Sequence, residues 1–501
     1  MAALSVDAQS VVADIEPSIY SSSARTSADL LDRNDATEVD PLLVTWNGND
    51  DPEDPYNWNQ PRKWAITVLL SFGGLVTLMS GAMLAPALGD IAHDFNTDLK
   101  HAQIFLSIYV LAFAFGPMVL APCTEVFGRR PVWIICACYY IAWNTAAGFS
   151  QSPAVLILCR IMSGIGASAE FAVTSPVLAD IWTSDQRGKS YAISTFLPLL
   201  GPALGPIIGG AVAQTIHWRW IFYILSIYDG LLVVAGLFLL PETSKVILLE
   251  RKAKKLRKET GLAYYTDSSH QTLVSRLGVS LTRPIRMLFT HPTIQFMGVL
   301  LAYNFGILYI VLSTFATLWI DRYGQTKLVS GLHYIALVIG YTIASQVGSR
   351  AMDKIWAHLK QRAGGVKTAP EYRVPLMVPG AVLVLTGIFI YGWTAEYRMH
   401  WIGPDIGIAI FGCGIILNTQ AMQAYVTESY LGHVASASAA SQFLRSVTGF
   451  AFPIFAPSLY QNIGYGWGNS ILGFAFLVLA APAPIILWNF GARMRAVGQH
   501  K

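Results

Sequence analysis

The stretch LLGPALGPIIGG, Leu199–Gly210, holds four glycines and two prolines in twelve residues. Such a composition ordinarily marks a loop. Yet it sits in a run with no charged residue between Lys189 and Arg219. A loop in so apolar a setting would strand unpaired backbone groups, whereas a helix pairs them internally. Gly201, Gly205 and Gly209 recur every four residues and share one helical face, with Pro202 and Pro206 on the adjacent face. Small residues at this spacing let helix backbones approach closely inside a membrane, where neighbours also satisfy the carbonyls that prolines free. The stretch therefore reads as a bent membrane helix pressed against a neighbour.

The remaining sequence follows that reading. The 501 residues are 53% hydrophobic and only 13% charged, about half the charge of ordinary soluble domains. Apolar runs near or above the ~20 residues needed to cross a bilayer recur. They fall at 64–89, 102–124, 131–149, 154–181, 190–213, 220–241, 293–319, 328–349, 374–394, 401–426, 434–460 and 468–491. None shows the ten-residue alternation of a barrel strand. The expected fold is an all-α membrane protein of twelve transmembrane helices in two six-helix bundles. Residues 1–62 form a largely disordered tail and 63–242 the N-terminal bundle. Residues 243–292 are a linker with a basic helix, 293–491 the C-terminal bundle and 492–501 a short tail.

Charge placement sets the expected orientation. With both termini inside, 27 Lys and Arg fall on the cytoplasmic side and five on the other, while Arg160 and Arg445 lie within spans. That asymmetry predicts cytoplasmic tails and linker. The Ser- and Asp-rich tail carries no apolar run of signal-peptide type. Its end, Asp51–Trp64, reads as an ordered approach to the membrane with Trp58 and Trp64 as interfacial anchors. The run LLERKAKKLRKETG, Leu248–Gly261, reads as a solvated basic helix attracted to anionic headgroups. Cys123, Cys136, Cys138, Cys159 and Cys413 have neither zinc nor disulfide spacing and act as small apolar residues. No metal, cofactor or nucleic-acid partner is expected. TSDQRGKS, Thr183–Ser190, nearly matches a phosphate loop but lacks its first Gly and follows no strand, which excludes nucleotide binding there.

Several charged and polar residues lie where a bilayer makes them costly. Arg160, in LILCRIMSGIGASAE, stands well inside span four, where a charge costs ~2.5–3.5 kcal/mol or more. It must face a cavity or a partner, or be pinned by backbone carbonyls. Glu170 follows ten residues later, ~15 Å along the axis and ~80° around it. Asp229 lies near the middle of span six. Embedded carboxyls that load and release protons are candidates for coupling. Polar and aromatic residues of spans seven and ten, Tyr303, Asn304, Tyr309, Asn418, Gln420 and Gln423, are candidates for a substrate surface, with packing as the alternative. His333 reads as a packing residue near the outer end of span eight.

Three segments resemble the major facilitator superfamily. APCTEVFGRRP, Ala121–Pro131, is similar to its signature loop: Glu125 stands at the acid position, Gly128, Arg129 and Arg130 match, and Ala121 replaces the first Gly. The resemblance implies a cytoplasmic latch between bundles, which Asp353 and Glu428 at helix ends are placed to join. Arg445, at the start of span eleven and able to snorkel to the interface, is grouped with them. Around Arg160, Gly164 and Gly166 match a second pattern, implying a role for that arginine in proton coupling. In the opening stretch, Gly201, Gly205, Pro206, Gly209 and Gly210 match the fifth-span segment that marks proton-coupled exporters of this superfamily. The segments VTWNGNDDPEDPYNW, WRWIFYI, PET, FLRS and GYGWGNS resemble fungal twelve-span drug:proton antiporters. The resemblance implies a monomeric efflux pump of the cell membrane, not an enzyme. It would exchange protons for an amphipathic drug, toxin or secondary metabolite and confer drug resistance. A proton-coupled importer or facilitator of a small nutrient or polyamine is the alternative.

Overall fold

The computed structural model describes residues 42–48, 50–266, 273–362, 364, 369–430 and 434–499. Residues 1–41, most of the tail expected to be disordered, lie outside the described residues, as do 500–501. The first six spans are Gln60–Ala82, Leu99–Phe127, Arg129–Gly148, Pro153–Ile181, Ser184–Thr215 and Trp220–Leu239. The linker helix Lys245–Thr260 and the helix Leu273–Thr290 follow. Span seven is Pro292–Thr317, span eight is Lys327–Leu332 with Tyr334–Arg362, span nine Met377–Glu396 and span ten Ile402–Ser429. The helical stretch Val434–Ala480 contains one non-helical residue, Gly464 (φ 81, ψ 171), which divides span eleven from span twelve. Only glycine takes such a φ without strain. The sequence predicts a connection from 461 to 467 there; the chain instead turns at a single residue. The carboxylate of Glu396 accepts from Gly466 N at 3.1 Å, capping the start of span twelve from outside. Span twelve continues through Ala483–Gln499.

Ten segments among the described residues are long and apolar enough to cross a membrane. One of them, Ser436–Val497, contains both spans eleven and twelve. The twenty-residue helix Arg129–Gly148 falls outside that set and opens on two arginines. Counted in this way, the fold is consistent with twelve spans.

The two halves repeat one packing scheme. Gly164 lets span four approach Tyr109 of span two, and Gly412 lets span ten approach Leu337 of span eight. Gly166 does the same against Tyr140 of span three, and Gly414 against Val384 of span nine. Close backbone approach through small residues is what holds helices together where the solvent is as apolar as the side chains.

The described residues of 42–57 and of the linker share one face of the molecule, the linker face. Val44 N and Tyr265 N exchange backbone hydrogen bonds with Tyr265 O and Leu42 O, each 2.9 Å. Lys252 Nζ reaches Asp51 at 3.1 Å, and Tyr56 donates to Ala179 O at 3.1 Å. The basic run is a helix, ended by Gly261 in the left-handed region (φ 73). Trp64 packs on Trp182 with ring centroids 4.7 Å apart, so it belongs to the N-terminal core and is not free to float at an interface.

At the opposite, short-loop face the halves meet. Lys327 pairs with Asp90 at 2.5 Å, and Leu328 N donates to Gln214 Oε1 at 3.1 Å. A Cβ at Gly331 would stand 2.6 Å from Pro206 O, so span eight rests on the backbone of span five.

Candidate functional site

Span five is helical from Ser184 to Thr215 despite Pro198, Pro202 and Pro206. Each proline removes one N–H and leaves one carbonyl without its intrahelical partner. Its glycines show why the residue choice is fixed. A Cβ at Gly201 would lie 3.0 Å from Met79 N, and one at Gly205 would lie 3.0 Å from Met79 O. Gly209 is seated on Met83 O. All three therefore face the backbone of span one. Gly210, turned the other way, meets Lys327 O at the start of span eight, and Pro206 meets Gly331. One helix thus binds its own half through one glycine row and the other half through its opposite edge.

Arg160 is fully buried. Its Nε donates to Phe105 O at 2.9 Å, and its Nη2 donates to Ser80 O at 3.0 Å. The guanidinium lies 4.3 Å over the Tyr109 ring. Ser80 stands near the end of span one, where carbonyls have no intrahelical donor. Carbonyl dipoles and an aromatic face therefore balance this charge, tying spans one, two and four together.

Glu170 and Asp229 line one small cavity of about 20 Å³ with Gly73, Thr77, Trp133 and Tyr140, space enough for about one water. Glu170 Oε2 accepts from Trp133 Nε1 at 2.7 Å, and Oε1 accepts from Thr174 Oγ1 at 2.9 Å. Gly73 is open because the Glu170 carboxyl occupies the place of its Cβ, with Cδ 2.6 Å away. Asp229 Oδ2 is buried without a hydrogen-bond partner. The two acids meet inside the N-terminal half, between spans one, three, four and six, and not in the space between halves. Nothing in the sequence flagged Trp133, Thr174 or Gly73, because their contribution depends on which way each helix is rotated.

On the linker face, Gly128 takes φ 98 at the turn between spans two and three. Glu242 Oε1 accepts from Arg129 N, Thr243 N and Ser244 N at 2.9, 3.1 and 3.0 Å. Arg129 Nε pairs with Asp180 at 3.3 Å, and its Nη1 donates to Thr124 at 2.8 Å. Arg130 donates to Leu237 O at 2.7 Å. Glu125 is exposed, with no ion pair among the described residues. The second half repeats this network: Arg373 Nη2 pairs with Glu428 at 2.6 Å, and Nη1 with Asp353 at 3.6 Å. The loop residues thus bind within their own halves. The sequence reading quoted Glu242 only within PET, without a role, and missed Asp180 and Arg373.

Arg445 lies eleven residues inside span eleven, about 16 Å from its start. Its guanidinium sits 4.5 Å over the Phe305 ring, and its Nε is buried without a partner. It stands apart from the linker-face network. Tyr309 is buried nearby, its hydroxyl 3.8 Å from a Cβ built at Gly81 of span one, so it lies where the halves face each other. Asn304 donates to Thr419 Oγ1 at 2.9 Å between spans seven and ten. Gln420 faces Gly348 of span eight, and Gln423 is exposed. Tyr303 donates to Leu472 O at 2.9 Å, and Asn418 sits against Gly380, so both turn toward spans twelve and nine. The structure gathers part of the six-residue surface and disperses the rest.

The sequence profile of the Major Facilitator Superfamily matches residues 70–453. An uncharacterized transporter of Schizosaccharomyces pombe is 40% identical over 462 residues, covering 91% of this chain and 94% of its own. The efflux pump vrtL of Penicillium aethiopicum is 38% identical over 471 residues, 93% of each chain. The crystal structure of a D-xylose-proton symporter superposes with a TM-score of 0.64 at 16% identity, covering 85% of this chain and 97% of that one. At that identity the likeness is one of fold.

Proposed function

This chain belongs to the Major Facilitator Superfamily and is a secondary transporter of a small molecule, embedded in a membrane by many spans; from that premise we propose that it is a proton-coupled efflux pump. It exchanges protons for amphipathic organic compounds, such as drugs, toxins or secondary metabolites, across the cell membrane, as a monomer with both termini in the cytoplasm. The observation that carries this reading is Glu170, a buried carboxyl whose hydrogen-bond donors are Trp133 and Thr174, with no cation paired to it among the described residues. Taking up or losing a proton there changes an uncompensated charge among four packed spans, and that biases how the N-terminal half sits. Asp229, in the same cavity, is the adjacent proton site. Arg160 holds spans one, two and four in register around it.

The halves meet at the short-loop face, which the Lys and Arg asymmetry makes the outer face. In this arrangement Glu125 is exposed and the latch is disengaged, which suits a state that receives substrate from the cytoplasm. Rocking of the halves would separate Gly331 from Pro206 and Lys327 from Asp90 outside, while the 125–130 loop closes inside. Span five is at once the N-terminal half's clamp and its contact with span eight, so it is the pivot of that motion. Phe305, Tyr309 and Arg445 offer aromatic surface and one unpaired cation to an amphipathic substrate.

The test uses purified protein in liposomes with an imposed pH gradient and a panel of amphipathic compounds. Substrate moving against the proton flow, and stopping when the gradient is collapsed, is the expected result. Substrate moving with the protons would make the chain an importer and overturn the proposal.

A further inference from the structure

Spans eight and ten touch and then diverge. A Cβ at Gly340 would collide with Ala409 O, and it would stand 3.0 Å from Cys413 N. From that contact toward the short-loop face the helices separate, and the wedge between them is a cavity of about 590 Å³. This lies within the range of about 300–1,000 Å³ that holds small organic ligands. Its floor and walls are Ile335, Ile339, Ile406 and Ala409, and its mouth carries Trp401 and Gln325. Ile335, Ile339 and Ile343 form one exposed apolar stripe on span eight. The halves are closed against each other at this face, so the wedge opens sideways, to the bilayer. It is short and broad: the eight steps from Trp401 to Ala409 rise only ~12 Å.

One wall of this apolar wedge is polar. His333 Nδ1 lies 2.7 Å from Asp405 Oδ2, and its Nε2 lies 2.8 Å from Gln325 Oε1. The ring is stacked on Trp319 at 3.6 Å, which fixes its plane. With Oδ2 engaged, Asp405 Oδ1 is left buried and without a hydrogen-bond partner. A buried acceptor of this kind is costly unless a donor reaches it.

The internal repeat shows that the scaffold does not need this pair. Asp405 stands seven residues before Gly412, and His333 four before Leu337, which packs on that glycine. At the same counts from Gly164 and Tyr109 the first half carries Ile157 and Phe105. An apolar pair fills the position there, so the second half departs from the repeat by adding a hydrogen-bonding group at the lip of a lipid-facing cavity.

We propose that the wedge between spans eight and ten binds a membrane alcohol with a compact fused-ring body, of the sterol class, whose hydroxyl donates to Asp405 Oδ1. The single free acceptor calls for a head with one donor. The short, broad cavity suits a rigid ring system more than an extended acyl chain. Trp401 at the mouth places the hydroxyl at interfacial depth.

The experiment uses the full chain in lipid nanodiscs with a photoreactive, clickable sterol, followed by peptide mapping. Labelling is expected on peptides covering 325–339 and 401–409, saturable and competed by unlabelled sterol. Asp405→Ala removes the acceptor and should weaken binding about tenfold, the equivalent of one hydrogen bond. Ala336→Trp fills the wedge and should abolish labelling there. Both variants are checked for monodispersity, and Asp405→Ala carries the test if the tryptophan variant does not fold. Labelling spread evenly over all spans, unchanged in Asp405→Ala, or matched by a phospholipid probe would overturn the proposal. So would labelling by a transported amphiphile but not by the sterol.

Discussion

Spans four and ten are two versions of one helix. Glu170 and Asp180 stand six and sixteen residues after Gly164, and Asn418 and Glu428 stand six and sixteen after Gly412. The glycines contact equivalent neighbours, and each terminal acid pairs with an arginine, Arg129 or Arg373. Inside the membrane the two helices differ. Where span four has Arg160 and Glu170, span ten has Ile408 and Asn418. Packing and the linker-face charges are thus what the architecture demands of both halves. Arg160 and Glu170 are what span four adds to the shared helix, whereas span ten carries neutral residues at both positions; under the proposed function, protons act where span four departs from span ten.

The sharpest way to break this comparison is to make the halves alike. Glu170→Gln keeps an acceptor for Trp133 but removes the proposed proton site, leaving a neutral amide like that of Asn418. Proton-driven transport in liposomes should fall to the level of empty vesicles while expression and monodispersity persist. Asn418→Asp should not restore it. Retained coupling in the first variant would remove Glu170 from the mechanism.

Arg160→Ile copies Ile408. It removes the guanidinium donors from Phe105 O and from Ser80 O, the latter at a helix end. Hydrogen bonds to charged groups are worth about 1.5–3 kcal/mol each, so a loss on the order of 3 kcal/mol and a clearly lower Tm are expected. A variant as stable as the parent would mean that Arg160 is held for function alone.

The clamps of the two halves differ in which helix gives up its side chains. Span five offers glycines to the backbone of span one, whereas span seven offers Gly298 and Gly306 to the side chains of Leu444 and Phe452. A side chain can yield and a backbone cannot. Gly209→Ala, against Met83 O, should therefore cost about 1–3 kcal/mol, and Gly298→Ala, against the tip of Leu444, less than ~1 kcal/mol. Thermal unfolding in detergent reads the difference; equal costs would remove the distinction between the clamps.

These contrasts also show what was legible in the chain. The spans, the turn at Gly128 and the glycine row of span five follow from periodicity and composition, because both are local. The pairing of Glu170 with Trp133, the burial of Asp229 and the turning of Asn418 toward span nine depend on helix rotation, which a nearly all-apolar span does not encode in its pattern. Arg445 illustrates the limit. A span beginning at 434 already sets Arg445 eleven residues in, but so long a side chain is able to snorkel toward the interface; its stacking on Phe305 emerges only from the fold. His333 read as packing, and it does pack on Trp319, but its bond to Asp405 joins residues far apart in sequence.

At the linker face the comparison predicts equality. Arg129 and Arg373 hold equivalent acids, and both side chains are mostly buried. Arg129→Ala and Arg373→Ala should each lower the maximal transport rate several-fold with little change in KM, by loosening the helix ends that the proposed cycle closes there. A large effect from one alone would show that the two networks, alike in geometry, are unlike in use.

The smallest expected effect concerns how each half is tied at its end. The C-terminal helix is held by Arg495, which pairs with Glu371 and donates to Tyr425 Oη at 2.9 Å. The N-terminal half is tied by the strap of residues 42–57, centred on Asp51. Backbone N–H groups of Asn47 and Glu53, with Lys252, hold the Asp51 carboxyl below its ordinary range. A group whose folded value is depressed gives stability that is full above its unfolded value, about 3.9, and is lost as pH falls through the lower folded value. Hydrogen exchange over residues 42–57 should therefore stay protected and unchanged from neutral pH to about pH 5, and open only in stronger acid. Asp51→Asn removes the ion pair to Lys252 and should expose the strap at neutral pH while leaving exchange around Arg495 unaltered. If both ends opened together, the strap and the C-terminal helix would be one cooperative unit and not separate ties on separate halves.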